Sequence, residues 1–256
     1  MGAVRTESAE TAGVDLEELT TELDEYGFVV INSLIPEDQA LRMAERIMEL
    51  MSKRPDADKA AQGLSAVFNF LEPDEYEMFL PMVTHPVYLE LARHVLGPGF
   101  QMAEVGVRWL KPGAPGQNLH ADVPVGWFVR NGLPVPEQCM MLNCMWMLTE
   151  FTKENGGTVL IPFSQFSRRV PRPGVRYRHL VYAEGPPGSI VIFKGNIWHG
   201  GGANTTPDKH RVGVSSGFYA TWLDPSAVTN WHLMKRSVRD RMPPMVQEMN
   251  RNVVDG

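Results

Sequence analysis

From Gln101 onward, short apolar runs alternate with segments rich in glycine, proline, asparagine and aspartate. This spacing predicts a mainly β fold of the antiparallel sandwich or jelly-roll type, because these residues favour turns between short strands. The predicted strands cover residues 102–110, 139–149, 158–161, 179–183, 189–193 and 211–220. The run at 139–148 is apolar at nearly every position, so we expect that strand to be buried on both faces.

The chain before Gln101 carries helical patterns instead. Asp15 can cap a helix that extends to about residue 23, and Pro36 can open a second helix that extends to about residue 53. A third helix is predicted at 86–96, and a short strand at 26–31. We expect these helices to flank the sheet and to cover its outer face.

The length and composition fit one domain with an internal core. The chain has 256 residues, of which 43% are hydrophobic. Residues 1–12 show no apolar period, which predicts a disordered lead. We expect a single domain at 13–256, with a helical part at about 13–100, a jelly-roll core at about 101–222 and a terminal helix at about 231–250 that Pro243 and Pro244 interrupt.

Charge and cysteine content narrow the class of partner. The formal net charge is -6, and a negatively charged protein is not attracted to nucleic acid or to an anionic membrane. We therefore expect a small-molecule partner. Cys139 and Cys144 are too few for a disulfide framework and are predicted to be core residues. We find no signal-peptide pattern and no apolar run of transmembrane length. These features favour a cytoplasmic monomer or homodimer.

The sequence contains a candidate set of metal ligands. His120 and Asp122 lie two positions apart, and on an extended segment such residues point to the same face. His199 follows the predicted strand 189–193 in a glycine-rich segment, which we interpret as a loop. Together the three form a 2-His-1-carboxylate set, the facial triad of non-haem Fe(II) oxygenases. The alternatives are a chance His-x-Asp pair and a hydrogen-bonded core histidine.

Arg211 is a candidate for binding a co-substrate. Three protein ligands leave three positions on iron, enough for a chelating 2-oxo acid and for O2. The far carboxylate of that acid needs a cation, and Arg211 follows His199 by twelve residues at a predicted strand start. A surface arginine is the alternative interpretation, and Lys194 is the next cation to consider.

Four motifs together resemble one enzyme family. They are QNLHAD at 117–122, WMLTEFTKENGGT at 146–158, GSIVIF at 188–193 and WHGGGAN at 198–204, followed by Arg211. The chain resembles the phytanoyl-CoA dioxygenase-like branch of the Fe(II)/2-oxoglutarate oxygenases, especially members that tailor natural products. The resemblance covers about residues 20–220 and implies a double-stranded β-helix fold.

The resemblance also implies roles for individual residues. His120, Asp122 and His199 would bind iron, and Arg211 would bind the C5 carboxylate of 2-oxoglutarate. Gln117 and Thr158 would also contact the co-substrate, although a loop amide and an ordinary strand residue are equally good interpretations of those two. Many related enzymes carry serine two residues after the arginine, where this chain has Gly213. Any second donor to that carboxylate must therefore come from elsewhere.

The sequence says less about the substrate. Residues 123–130 combine proline, glycine and aromatic side chains, as in a lid, and Trp127 is a candidate substrate contact. Asn69, Phe70 and Tyr76 are candidates for the opposite wall. The methionines at 140, 141, 145 and 147 are predicted to fill the core.

The resemblance predicts an oxidoreductase that uses Fe(II), O2 and 2-oxoglutarate to oxidise a C–H bond of a small organic molecule, with release of succinate and CO2. Hydroxylation is the default outcome, and desaturation, epoxidation or cyclisation share its first step. Asp122 argues against a halogenase, in which the carboxylate ligand is missing. A non-catalytic metal-binding jelly roll and a zinc hydrolase stay open as alternatives.

Overall fold

The computed structural model of the protein describes residues 13–223, 233–251 and 253–255, so the predicted lead at 1–12 lies outside the described residues. The helices are α1 Leu16–Tyr26, α2 Glu37–Ser52, α3 Tyr76–Phe79, α4 Pro81–Thr84, α5 Pro86–Leu96, α6 Val123–Arg130, α7 Arg236–Arg239 and α8 Pro244–Met249. The strands are β1 Phe28–Ile31, β2 Ala61–Leu64, β3 Gln101–Leu110, β4 Met141–Met147, β5 Thr158–Ile161, β6 Val181–Ala183, β7 Ile190–Lys194, β8 Trp198–Gly201, β9 Arg211–Tyr219, β10 Met234–Lys235 and β11 Val253–Val254.

Two antiparallel sheets form the β architecture. The larger sheet has six strands in the order β1-β7-β4-β9-β3-β2, and the smaller has three in the order β6-β5-β8. A backbone bridge between His120 and His199 adds the segment before α6 to the edge of the smaller sheet. A cavity lies between the sheets, lined by residues of β3, β4 and β9 on one side and of β5 and β8 on the other. This is the jelly roll that the sequence predicts.

The two central strands divide their side chains between core and cavity. On β9, Val212, Val214 and Phe218 are buried in the main hydrophobic core, whereas Arg211 and Ser215 line the cavity. The same alternation on β4 sends Leu142, Cys144 and Trp146 to the core, and Met141, Asn143 and Met145 to the cavity. Successive strand residues point to opposite faces, so one sheet carries both the core and the site.

The N-terminal helices cover the outer face of the larger sheet. Asp15 caps α1 by accepting hydrogen bonds from the backbone N–H groups of Glu17 and Glu18. Gly27 ends the helix with a φ of 85°, a left-handed conformation that glycine adopts without strain. Tyr88 of α5 packs against Phe218 of β9 with ring centroids 4.8 Å apart. The core therefore lies between these helices and the sheet.

Four parts of the fold differ from the sequence predictions. Residues 61–64 form β2, which was not predicted because Ala-Gln-Gly-Leu is a poor strand former. His199 lies inside β8 rather than in a loop, since β8 pairs with β5 despite its glycines. Residues 123–130, predicted as a lid with no helix assigned, form helix α6. The strand at 141–147 has one face toward the cavity, so it is not buried on both.

The C-terminal segment is also less regular than predicted. Within its described part, α7 and α8 replace a single terminal helix, and β10 pairs with β11 in parallel. Pro244 occupies the first turn of α8, where its missing N–H is tolerated. Among the described residues, no helix is long and apolar enough to cross a membrane.

Candidate metal centre and its cavity

The structure brings the three predicted metal ligands together. One ligand atom from each of His120, Asp122 and His199 lies within 4.8 Å of the others. Two backbone hydrogen bonds hold the histidines side by side, from His120 N to His199 O at 2.9 Å and from His199 N to His120 O at 2.8 Å. The pairing of two chain segments therefore fixes the spacing of the ligands.

Backbone carbonyls orient both imidazole rings. Nδ1 of His120 lies 3.0 Å from the carbonyl oxygen of Asn118, and Nδ1 of His199 lies 3.0 Å from that of Ile197. A carbonyl oxygen only accepts hydrogen bonds, so each Nδ1 must carry a proton, and in a neutral ring of this tautomer the lone pair lies on Nε2. Burial, and then the nearby His120, lower the pKa of His199 to about 3. His199 is thus the neutral imidazole that a metal requires.

Asn143 holds the carboxylate of Asp122 and is a residue that sequence reasoning missed. Its Nδ2 donates to Oδ2 of Asp122 at 2.6 Å, while Oδ1 lies 3.7 Å from Nε2 of His199. A hydrogen bond to one carboxylate oxygen orients the other toward a metal. The signal was present in the sequence, because Asn143 is the one polar side chain in the apolar run 139–148.

Arg211 is a buried cation on the cavity wall. Its side chain is 2% exposed, and its guanidinium lies over the ring of Phe151 at 4.0 Å from the centroid. Its Nε has no hydrogen-bond partner, and no ion pair joins Arg211 to a residue of the described chain. Burial, and then the charge of Arg108, lower the pKa of Arg211 to about 9. Such a group needs an anion from outside the protein.

Two further predicted co-substrate residues line the same cavity, whose volume is about 620 Å³. The hydroxyl of Thr158 is buried and has no partner in the described chain. Gln117 accepts a hydrogen bond through Oε1 from the backbone of Gly201 at 2.9 Å. Lys194 instead donates to Asp24 at 2.6 Å and does not line the cavity, so it is not an alternative to Arg211.

The chemistry of the donors fits iron and a 2-oxo acid. Two imidazoles and one carboxylate suit Fe(II), and three protein ligands leave positions for other groups. Arg211 and Thr158, each with a buried side-chain donor that has no partner in the described chain, line the same cavity as these ligands. Buried donors without partners are rare in folded proteins, so both point to a bound molecule rich in oxygen acceptors.

Comparison with known families decides which enzymes share this arrangement. The family model for phytanoyl-CoA dioxygenase (PhyH) matches residues 23–213. The chain belongs to the phytanoyl-CoA dioxygenase family. This confirms the resemblance drawn from the sequence, and with it the class of iron- and 2-oxoglutarate-dependent dioxygenases.

Curated relatives of this PhyH protein are fungal dioxygenases. Dioxygenase af480 of Aspergillus fumigatus is 27% identical over 250 residues, which cover 92% of this chain and 77% of af480. The Fe(II)/2-oxoglutarate-dependent dioxygenase nvfF of Aspergillus novofumigatus is 31% identical over 176 residues, covering 66% of this chain and 55% of nvfF.

Solved structures share the fold of this PhyH protein. EctD from S. alaskensis, in its apoform, superposes with a TM-score of 0.64 at 20% identity, covering 86% of this chain and 83% of EctD. The alpha-ketoglutarate-dependent epimerase SnoN from nogalamycin biosynthesis gives a TM-score of 0.62 at 18% identity, covering 80% and 82%. Identities this low support the jelly roll and not a shared substrate.

Gly213 stands where many related enzymes carry a serine two residues after the arginine. A Cβ at this position would lie 2.8 Å from Sδ of Met145 and 2.8 Å from Cζ of Phe151. These two side chains fill the space that a serine at position 213 would need. Phe151 also supports the guanidinium of Arg211, so the wall beside the arginine is apolar.

The structure does not place the predicted substrate residues at the cavity. Asn69 bonds instead to the backbone of Leu233 and Lys235, and Phe70 and Tyr76 do not line the cavity either. Trp127 is 41% exposed and packs edge-on against Phe128, while other residues of α6 reach the cavity. Met141 and Met145 line the cavity, so two of the four methionines predicted for the core belong to the site.

Proposed function

We propose that this PhyH protein oxidises a C–H bond of a small organic molecule in secondary metabolism, using Fe(II), O2 and 2-oxoglutarate. Hydroxylation is the proposed default outcome. The observation that carries the proposal is the shared cavity, onto which the His–Asp–His cluster and the unpaired Arg211 both open. A metal site alone needs no buried cation, whereas a chelating dicarboxylate needs both groups.

His120, Asp122 and His199 would hold Fe(II), which supplies the activation of O2 when 2-oxoglutarate is bound. The protein's own contribution is orientation. The carbonyls of Asn118 and Ile197 keep both Nε2 atoms directed at the metal. Asn143 holds Asp122 so that Oδ1 faces the same point.

Arg211 and Thr158 would bind the far end of 2-oxoglutarate. Arg211 offers a planar donor that matches a carboxylate, and Phe151 restricts its orientation. Thr158 offers the second donor that Gly213 does not supply. Because both groups are buried, water competes poorly for their hydrogen bonds, which strengthens the interaction with an anion.

The proposal of a role in secondary metabolism rests on the relatives of this chain. The type of oxidation is a separate question, because similar folds carry out different reactions. SnoN is named an epimerase and SnoK a carbocyclase, both from nogalamycin biosynthesis. One fold and one set of co-reactants thus accompany different outcomes. Substrate position relative to the metal decides which bond reacts, so the rest of the cavity wall sets the product.

The test is an anaerobic titration of the Fe(II) protein with 2-oxoglutarate, followed by admission of O2. Chelation of 2-oxoglutarate to Fe(II) gives a charge-transfer absorption band, and turnover without a prime substrate gives slow succinate formation. We expect both with iron and neither with zinc. Binding of the metal without 2-oxoglutarate would favour a non-catalytic metal-binding module. Hydrolytic activity that appears with zinc alone would favour a zinc hydrolase.

A further inference from the structure

The cavity carries more positive charge than the metal and co-substrate explain. The lining residues that the structure describes include one carboxylate, Asp122, and three arginines, of which Arg108 donates a hydrogen bond to the carbonyl oxygen of Val107. If the proposed function holds, the charges of Fe(II) and Arg211 together balance those of Asp122 and doubly ionised 2-oxoglutarate. Arg130 then adds a positive charge to the cavity lining that this balance does not offset.

Arg130 is an exposed side chain that also lines the cavity. It is the last residue of α6, eight positions after Asp122, and its backbone belongs to the helix that starts at this ligand. No ion pair or hydrogen bond joins its side chain to another residue in 13–223, 233–251 or 253–255. An arginine in the last helical turn is favourable by itself, but that position does not require its side chain to line a cavity.

Gly126 gives the guanidinium of Arg130 the room to lie against the helix. A Cβ on Gly126 would come within 3.3 Å of Nη1 of Arg130. Gly126 is one turn before Arg130, is buried and lines the cavity too. Glycine inside a helix destabilises it relative to alanine. Its presence here fits a need to keep the arginine folded back toward the cavity.

We propose that Arg130 binds a carboxylate of the prime substrate and thereby selects small organic acids. A planar guanidinium matches the two oxygens of a carboxylate, and a single arginine suits this group better than a phosphate ester, which usually takes several donors. The lining of the same cavity includes the apolar side chains of Met141 and Met145 and the small residues Ala61 and Ala103. The proposed substrate is therefore an acid with an apolar body.

The experiment measures binding of matched acids and amides to the anaerobic Fe(II)·2-oxoglutarate protein. The probes are phenylacetate, cinnamate and decanoate, each paired with its primary amide, and dissociation constants are read by equilibrium dialysis. We expect at least one acid to bind about tenfold or more tightly than its amide, as a charge-assisted hydrogen bond implies. Arg130→Gln should remove this preference, and Arg130→Lys should restore part of it.

Arg176→Gln is the matched control, because it removes an exposed arginine that does not line the cavity. It should keep the preference for the acid. The affinity for 2-oxoglutarate should be unchanged in Arg130→Gln, since Arg211 binds that group. The inference is overturned if no acid binds more tightly than its amide, or if the Arg130→Gln protein keeps the preference for the acid. It is also overturned if Arg130→Gln lowers the affinity for 2-oxoglutarate instead. If the wild-type Fe(II) protein forms no charge-transfer band when 2-oxoglutarate is added, the proposed function itself is refuted.

Discussion

Replacing Arg211 with lysine keeps a positive charge in the cavity but removes the planar, two-pronged donor. The guanidinium stacks on Phe151 at 4.0 Å, and its Nε has no partner within the described chain. The arginine is thus held against Phe151 on the cavity wall, where we expect its guanidinium to meet the C5 carboxylate. Lysine would offer a flexible point charge in its place. We expect Arg211→Lys to bind 2-oxoglutarate more weakly while the metal ligands stay in position.

The size of the loss follows from the hydrogen bonds involved. A hydrogen bond to a charged group contributes roughly 1.5–3 kcal/mol. Since about 1.4 kcal/mol changes an equilibrium constant tenfold, losing one prong should raise the dissociation constant for 2-oxoglutarate about tenfold to a hundredfold. The apparent affinity for a prime substrate should change less, because Arg211 contacts the co-substrate.

The loss should also depend on pH. Burial already lowers the pKa of Arg211 to about 9, from a value of 12.5. A lysine starts from a lower pKa of about 10.4, so the same burial would bring its titration near neutral pH. The ammonium is charged below that pKa and neutral above it. The deficit of Arg211→Lys should therefore grow between about pH 6 and pH 8, a range in which the wild-type arginine stays protonated.

The assay is an anaerobic titration of the Fe(II) protein with 2-oxoglutarate, monitored by the charge-transfer band at both pH values. Lys194→Met is the control, because Lys194 pairs with Asp24 outside the cavity lining. It should leave the affinity for 2-oxoglutarate unchanged. An Arg211→Lys protein with wild-type affinity, or an equal loss in Lys194→Met, would refute the assignment of Arg211 to the co-substrate.

Three further predictions concern the metal centre and the wall beside it. His120→Ala, Asp122→Ala and His199→Ala should each abolish 2-oxoglutarate turnover while circular dichroism shows an intact fold; activity with limiting iron would remove that residue from the ligand set. Asn143→Leu should weaken Fe(II) binding by about tenfold to a hundredfold, since Asp122 loses its orienting donor; a metal titration gives the affinity, and a wild-type value would contradict this role. Gly213→Ser should lower the free energy of unfolding by about 1–3 kcal/mol, because two side chains already fill that space; thermal and denaturant unfolding provide the measurement, and unchanged stability would show that the wall can yield.

Much of the strand pattern could be predicted, because it depends on neighbouring residues. The strand at 158–161 has the predicted bounds, and β3, β7 and β9 differ from prediction by one residue at one or both ends. Their apolar runs and flanking turn residues are local signals. The strands at 61–64 and 198–201 carry no such signal. They form because distant strands offer backbone partners, which a single segment does not reveal.

The residues of the candidate site could also be predicted from the sequence, whereas their arrangement could not. The sequence determined which residue types were available: two imidazoles and a carboxylate at a spacing that suits one metal, and an arginine after the distal histidine. It also determined the family, through four motifs of six to thirteen residues.

Only the tertiary structure decided how these residues meet and what surrounds them. The backbone pairing of His120 with His199 and the hydrogen bond from Asn143 to Asp122 join different segments of the chain. Arg211 has no hydrogen-bond partner for its Nε because of the way the described chain packs around it. The alternation of β4 and β9 placed one set of side chains in the core and the other in the cavity. Burial and hydrogen-bond satisfaction depend on the whole packed chain, so residue order alone could not predict them.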